Sequence, residues 1–306
     1  VWLREEARNH TGKPWVLFVS LVAPHFPLTA PPEFYYRHDP AQISMPKQYG
    51  EDRPDHPYLR DYRTVFEYDD HFRTEDDVRR GIAGYMGLCS FVDHQVGLIL
   101  QALEASGQAA NTRVAFTSDH GDNLGARGLW GKSTMYEESV GIPLILSGPG
   151  IPAGEVRDEP RLLTDLSRFI LQSAGADADG FGQTDLLSGE DAAVISEYHG
   201  TGSRSAAFML RKGRWKYVHY ALYAPQLFDL QADPDELRDL AGDPEHAGVL
   251  AECRAQLLTR LDPDAIHAEA RAAQRARVEE LGGEQAILER GDYGFSPPPG
   301  VKAVYA

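Results

Sequence analysis

RVAFTSDHGDNLGARGLWGKS, residues Arg113 to Ser133, opens as a strand and then breaks into turns. Arg113 to Ser118 is a short run rich in branched and aromatic residues, the pattern of a buried strand. From Asp119 to Lys132 the chain packs two aspartates, a histidine, four glycines and a lysine. The strand decides the fold and the turn-rich part decides the chemistry, so both are read outward from here. Trp15 to Val22 repeats the strand pattern upstream, ending at Ala23-Pro24-His25, and Ile142 to Ser147 repeats it downstream. Between the first two runs Ile82, Tyr85, Met86, Cys89, Val92, Val96, Ile99, Leu100 and Leu103 recur at helical spacing, with Gly107 as a stop. Cys89 on that stripe is expected to be a buried, inert thiol. Strand, helix and strand at this spacing predict a crossover-connected, largely parallel sheet. Functional groups of such sheets gather beyond the carboxyl ends of the strands. His25, Asp119 and His120 are therefore expected at one edge.

Elsewhere the chain is less regular. Residues 26–80 are rich in Pro, Tyr, Asp and Arg and read as surface loops, with a solvated charge run from Glu67 to Arg80. A Gly/Asp-rich hinge at residues 176–191 divides a larger part, 1–190, from a smaller one, 191–306. Ala193 to Tyr198, Ala206 to Leu210 and Trp215 to Tyr220 predict antiparallel strands, the last two joined by a hairpin at Arg211 to Arg214. Asp243-Pro244-Glu245 opens a helix burying Val249, Leu250, Cys253, Leu257, Leu258 and Leu261. A second helix, charged and alanine-rich, runs to about Leu281, and the tail with Ser296-Pro297-Pro298-Pro299-Gly300 reads as extended. That helix and tail suit packing on a second copy, a homo-oligomer.

Composition removes several classes. A net charge of -16 argues against a nucleic-acid surface, which needs clustered Lys and Arg. No continuous apolar run approaches the roughly 20 residues of a membrane helix. An anionic substrate would need a local positive site against the global field. Two cysteines, Cys89 and Cys253, make no disulfide framework and suit a reducing compartment, hence the cytoplasm. Val1-Trp2-Leu3-Arg4 reads as the middle of a helix, so upstream sequence is expected.

The turn-rich stretch is not a phosphate loop of the Gly-x4-Gly-Lys-Ser/Thr kind. Ala126 stands where the first glycine is needed, and about a dozen residues separate the strand from Lys132. It is not an EF-hand either, since Trp130 holds the position of the bidentate glutamate. Asp119 and His120 offer an oxygen and a nitrogen to a divalent ion, with glycines letting the backbone fold close. An Asp-His-Gly turn could equally just end the strand. Asp122 and Asn123 read as shaping the loop, His199 as a surface group, and Arg127 as either a supporting or a substrate-contacting group.

Phe116 to Gly125 with Gly128 to Lys132 resembles the metal-and-lysine segment of sulfatases in the alkaline phosphatase superfamily, nearest the choline sulfatase and phosphonate monoester hydrolase branch. Ala23-Pro24-His25-Phe26-Pro27-Leu28 is similar to that family's substrate-histidine segment. Met135 to Ser139, Ile195 to His199, Leu227 to Leu230 and Asp233 to Glu236 match in order, so the resemblance spans almost the whole chain. It implies an α/β fold: an alkaline-phosphatase-like large domain with a mostly parallel central sheet, and a smaller C-terminal α+β domain with an antiparallel sheet. It further implies a divalent metal (Ca, Mn or Mg) on Asp119 and His120. Lys132 would contact the sulfate or phosphate oxygens and the nucleophile, and His25 the leaving-group oxygen. The implied activity is hydrolysis of a small-molecule sulfate ester. A phosphonate monoester or phosphodiester is the alternative substrate, and a non-catalytic remnant the alternative of another class. The family's nucleophile is a formylglycine made from cysteine in a Cys/Ser-x-Pro/Ala-x-Arg setting. Cys89 precedes Ser-Phe-Val-Asp and Cys253 precedes Arg-Ala-Gln-Leu, so neither has that setting.

Overall fold

The computed structural model describes residues 1–10 and 12–290. The expected extended segment Ser296 to Gly300 lies outside the described residues. In chain order the helices are α1 (Trp2–Glu5), α2 (Pro32–Tyr35), α3 (Pro57–Val65), α4 (Glu75–Ser106), α5 (Glu137–Val140), α6 (Leu163–Ser173), α7 (Ala247–Leu258), α8 (Pro263–Glu280) and α9 (Glu284–Arg290). The strands are β1 (Val114–Thr117), β2 (Leu144–Ser147), β3 (Val194–Tyr198), β4 (Ala207–Lys212), β5 (Trp215–Tyr220) and β6 (Gln226–Asp229).

A capping box starts α4: Thr74 Oγ1 accepts from Asp77 N–H, and Asp77 accepts from Thr74 N–H in return. Gly107 ends it in the left-handed conformation, φ 76°. The face it buries matches the expected apolar stripe only in part, at Val92 and Leu103. Ala83, Gly84, Gly87 and Leu88 are buried, whereas Met86, Leu100 and Cys89 are exposed. Small residues set this face because the chain from Leu28 to Tyr35 lies directly on the helix backbone. A Cβ at Gly84 would collide with the Leu28 carbonyl oxygen, and one at Gly87 would come within 2.8 Å of Ala30 Cβ. That close approach fixes the segment carrying His25 against a rigid element. With a mean hydropathy of 1.2 over an 18-residue window, α4 is also the one helix among the described residues long and apolar enough to cross a membrane. Asp93 and His94 break any continuous apolar run within it.

The α/β class is as expected, but the expected parallel arrangement is not what the described strands form. β1 and β2 pair antiparallel, with Val114 opposite Ser147 and Thr117 opposite Leu144. A parallel pair needs a crossover, usually through a full helix. The connection from Thr117 to Leu144 instead holds one 3-10 turn and the four-residue α5, and loops back as a wide hairpin. Trp15 to Val22 is the second departure. Among the described residues it takes part in no strand pairing, and Phe18 and Val22 are 87% and 81% exposed. Apolar composition supplies strand propensity, but a strand exists only where a neighbour receives its N–H and C=O groups.

β3 to β6 form one antiparallel sheet in sequence order. Lys212 faces Trp215 across the β4–β5 hairpin, where Gly213 supplies φ 52°. Alternate residues serve opposite faces of this sheet. Ala207, Met209, Val218, Tyr220 and Phe228 pack on Tyr58, Leu59 and Tyr62 of α3 and on Leu129, Met135 and Tyr136. Phe208, Leu210, Tyr217 and Leu227 pack on Leu240 and on Cys253 and Leu257 of α7. The sheet is thus covered on both sides, and its first face is the floor under the segment that holds Lys132.

Asp165, buried in the first turn of α6, ties that helix to the following loop. Its carboxylate accepts from the backbone N–H of Leu162 (2.9 Å), Gln183 (2.6 Å) and Thr184 (3.0 Å), and from the Thr184 hydroxyl (3.0 Å). An amide cannot accept all four, so Asp165→Asn strands a buried donor. We expect a loss of about 1–3 kcal/mol, checked by urea denaturation of the two proteins; equal midpoints would refute it.

Candidate anion and metal site

The turns after β1 are held by their own side chains. Gly121 N–H donates to Ser139 O (2.8 Å), and a Cβ on Gly121 would collide with the Glu138 carbonyl oxygen. Only glycine lets the two segments meet. Asp122 Oδ1 accepts from the N–H groups of Leu124 and Gly131 (both 2.9 Å). Asn123 donates through its backbone N–H and its Nδ2 to Gly131 O (both 2.7 Å). These bonds close a loop in which Leu124, Arg127 and Ser133 hold positive φ, a strain of about 1–3 kcal/mol each that the closure sustains. Lys132 follows directly, delivered back toward the end of β1.

Four predicted residues meet at this edge. His25 Nδ1 lies 2.8 Å from Phe26 O; a carbonyl only accepts, so Nδ1 carries the proton and Nε2 the lone pair. Lys132 Nζ donates to that Nε2 at 2.8 Å. The His25 and His120 rings lie 6.1 Å apart at 65°. His120 Nδ1–H donates to Gly121 O (2.8 Å), which leaves its Nε2 open. Asp119 is 80% exposed at its side chain, with Oδ2 3.6 Å from His120 Nε2 and Oδ1 accepting from His120 N–H at 3.0 Å. The result is an ammonium, an imidazole lone pair and a carboxylate–imidazole couple around one solvent-facing spot. The Lys132 ammonium supplies positive charge there against an overall negative chain, while the Asp119 carboxylate offsets it until a cation is held, and a tetrahedral anion requires both.

Sequence reasoning missed the site's aromatic wall. The Phe26 ring lies 5.5 Å from Lys132 Nζ and 5.9 Å from the Tyr68 ring, and Tyr68 stacks on Phe66 at 5.5 Å. The signal was the aromatic spacing within residues 66–68, read as surface loop running into a solvated charge run. Arg127 is fully buried, so it contacts no substrate. Glu138, Lys47, Lys216 and Glu236, behind the loop, were also missed, although a lysine within the apolar run Trp215 to Tyr220 was a visible anomaly. His199 is exposed beside Glu197, away from this constellation.

The sulfatase family model matches residues 2–176, more than half of the sequence. The chain belongs to the sulfatase family. A model of the C-terminal part of N-sulphoglucosamine sulphohydrolase matches residues 125–262 of this chain. The choline-sulfatase of Rhizobium meliloti (strain 1021) is 32% identical over 288 residues, covering 90% of this chain and 56% of that protein. Arylsulfatase K of Xenopus laevis is 31% identical over 281 residues, covering 79% and 50%. Among solved structures, the phosphonate monoester hydrolase SpPMH from Silicibacter pomeroyi aligns with a TM-score of 0.72 and 30% identity, covering 85% of this chain and 58% of that one. The chain spans about half the length of the curated relatives it matches.

Sulfatases generally use a divalent metal. The described residues fit one as part of a ligand set. Adjacent donors about 2.1 Å from an octahedral Mg ion lie about 3.0 Å apart and those about 2.5 Å from Ca about 3.5 Å apart, so the 3.6 Å between Asp119 Oδ2 and His120 Nε2 suits the larger ion without rearrangement. Among the described residues no third His, Cys, Asp or Glu joins them, and two protein ligands alone leave most of the coordination sphere to other donors.

Proposed function

We propose that this chain supplies the metal couple, lysine and histidine of an enzyme that hydrolyses small-molecule sulfate esters. The single observation that carries the reading is the 2.8 Å contact between Lys132 Nζ and His25 Nε2 beside the Asp119–His120 couple. A bound divalent cation, Ca, Mn or Mg, on Asp119 and His120 would neutralise charge on the sulfate oxygens. Lys132 binds a non-bridging oxygen, where negative charge grows as the S–O bond to the leaving group breaks. The proton shared by Lys132 Nζ and His25 Nε2 passes to the departing alkoxide, so the alcohol leaves neutral. The Nδ1–H to Phe26 O bond holds the imidazole with Nε2 toward the substrate throughout. The nucleophile, a formylglycine by family likeness, is not one of these residues, since neither Cys89 nor Cys253 has the required setting. A phosphonate monoester is the second reading, favoured by the likeness to SpPMH.

The test is turnover by the full-length natural protein of p-nitrophenyl sulfate and of a phenylphosphonate monoester, with and without Mn or Ca. We expect a larger kcat/KM for the sulfate ester, its loss in excess chelator and its return with added metal. Turnover of neither ester would end this reading, and a preference for the phosphonate would replace it with the second. His120→Ala is expected to cost at least the roughly 10–100-fold in metal affinity that loss of an outer partner costs, measured by calorimetry, with an unchanged melting curve. Undiminished affinity would remove His120 as a ligand.

A further inference from the structure

Behind the site lies a charged group that the proposed chemistry does not use. The Arg127 side chain is completely buried in the loop between the Asp119–His120 couple and Lys132. A guanidinium in the interior carries a desolvation cost of several kcal/mol per ion unless its partners are well placed, and here they lie on both sides of a junction. Nη1 donates to Glu138 Oε2 (3.0 Å), while Nη2 donates to the carbonyl oxygens of Asp235 (2.6 Å) and Glu236 (3.3 Å). The guanidinium carbon lies 3.7 Å from the centre of the Tyr136 ring. Lys47 Nζ closes the arrangement, 2.6 Å from Glu138 Oε1 and 2.9 Å from Asp235 Oδ1.

One side of this bridge is the turn after β6. The other is the turn at residues 136–139, on which the metal couple rests: Gly121 N–H bonds to Ser139 O, and Gly121 abuts the Glu138 carbonyl. Gly121 is next to His120 and accepts the proton of its Nδ1. A continuous path of bonds therefore runs from the β6 turn through Arg127 and Glu138 to the imidazole. A planar fork fixes direction as well as distance, which a lysine cannot do. We propose that Arg127 is a positioning residue: it locks the 136–139 turn to the β6 turn and so sets His120 and Lys132 against His25. This rests on the hydrolase reading above, and it makes the β3–β6 sheet part of the active-site support.

The experiment compares Arg127→Lys with wild type in the full-length natural protein. Three quantities are read: kcat and KM on p-nitrophenyl sulfate, the melting temperature, and the hydrogen-exchange rate of the Gly121 amide. The expected result is a fall in kcat of about 10–100-fold, the range typical of lost outer-sphere partners. KM should stay within about threefold and melting within a few degrees, with Gly121 exchange about tenfold faster. If Arg127→Lys does not fold, Glu138→Gln, which leaves the other guanidinium contacts in place, is read the same way. If wild type turns over no ester, the hydrolase reading fails, and Gly121 exchange alone decides whether Arg127 positions the loop. Unchanged Gly121 exchange, or a kcat that falls only in step with thermal stability, overturns the proposal.

Discussion

Lys132→Ala in the full-length protein is expected to lower kcat for a sulfate ester by about 10²–10³-fold, the loss typical of one preorganised oxyanion donor. Two contributions vanish together. The ammonium no longer meets the charge that develops on sulfate oxygens, and His25 Nε2 loses the donor now 2.8 Å away. Because that charge grows toward the transition state, kcat should fall by more than KM rises. The fold should hold, since Lys132 is only half-buried and, among the described residues, its one side-chain hydrogen bond is to His25. Lys132→Arg keeps the charge on a larger, planar head and should recover only part of the rate. Steady-state kinetics with the melting temperature measured alongside checks this. A Lys132→Ala enzyme within fivefold of wild type would remove the lysine from the chemistry.

The site was more legible in the sequence than the sheet that frames it. Asp119, His120 and His25 stood at places where strand-like runs end, and side chains at such ends converge whether or not the strands themselves pair as expected; Lys132 was marked by the family resemblance. β5, from Trp215 to Tyr220, lies where its strand-like run placed it, because both of its partners are sequence neighbours joined by short connections. Trp15 to Val22 had equally good composition and forms no ladder among the described residues. Pairing is a non-local property, and no pattern within eight residues encodes who the partner is. The buried face of α4 was misread in part, for a related reason. Periodicity weighs residues by size, while Gly84 and Gly87 are buried because they are small and another backbone occupies their space. Arg127 could not have been assigned from sequence, as its partners at Asp235 and Glu236 lie more than a hundred residues away.

The largest effect on stability is expected at Lys216. Its side chain is fully buried, with Nζ 2.7 Å from both Glu137 Oε1 and Glu236 Oε1, and donating to Met135 O at 2.8 Å. One ammonium thus serves two carboxylates. Arg211 adds a second cation to Glu137 at 3.2 Å, and among the described residues Glu236 has no second one. The consequences for the two acids differ. Burial pushes the Glu236 carboxyl above its usual range despite Lys216. Glu137 is also pushed up by burial, but Lys216 and Arg211 outweigh this and hold it below that range. Lys216→Met keeps the volume and removes the charge, leaving two carboxylates and a carbonyl without their shared donor. We expect a loss of about 3–5 kcal/mol, the usual cost of breaking a buried ion pair from one side. The loss should depend on pH with a definite sign. Removing the ammonium raises the folded-state pKa of both glutamates, that of Glu236 further above its unfolded value and that of Glu137 upward from below its own. A raised pKa contributes stability below the unfolded value and loses it as pH rises through the folded one. The deficit of Lys216→Met should therefore be smaller at pH 5 than at pH 8. Denaturant titrations of both proteins at the two pH values measure it directly, and a deficit independent of pH would mean the glutamates do not depend on Lys216. Adding Glu236→Leu removes the acid that has no other cation, so the double variant should recover part of the loss at pH 8. No recovery would show that the missing donor to Met135 O, rather than the unpaired charge, is what the fold feels.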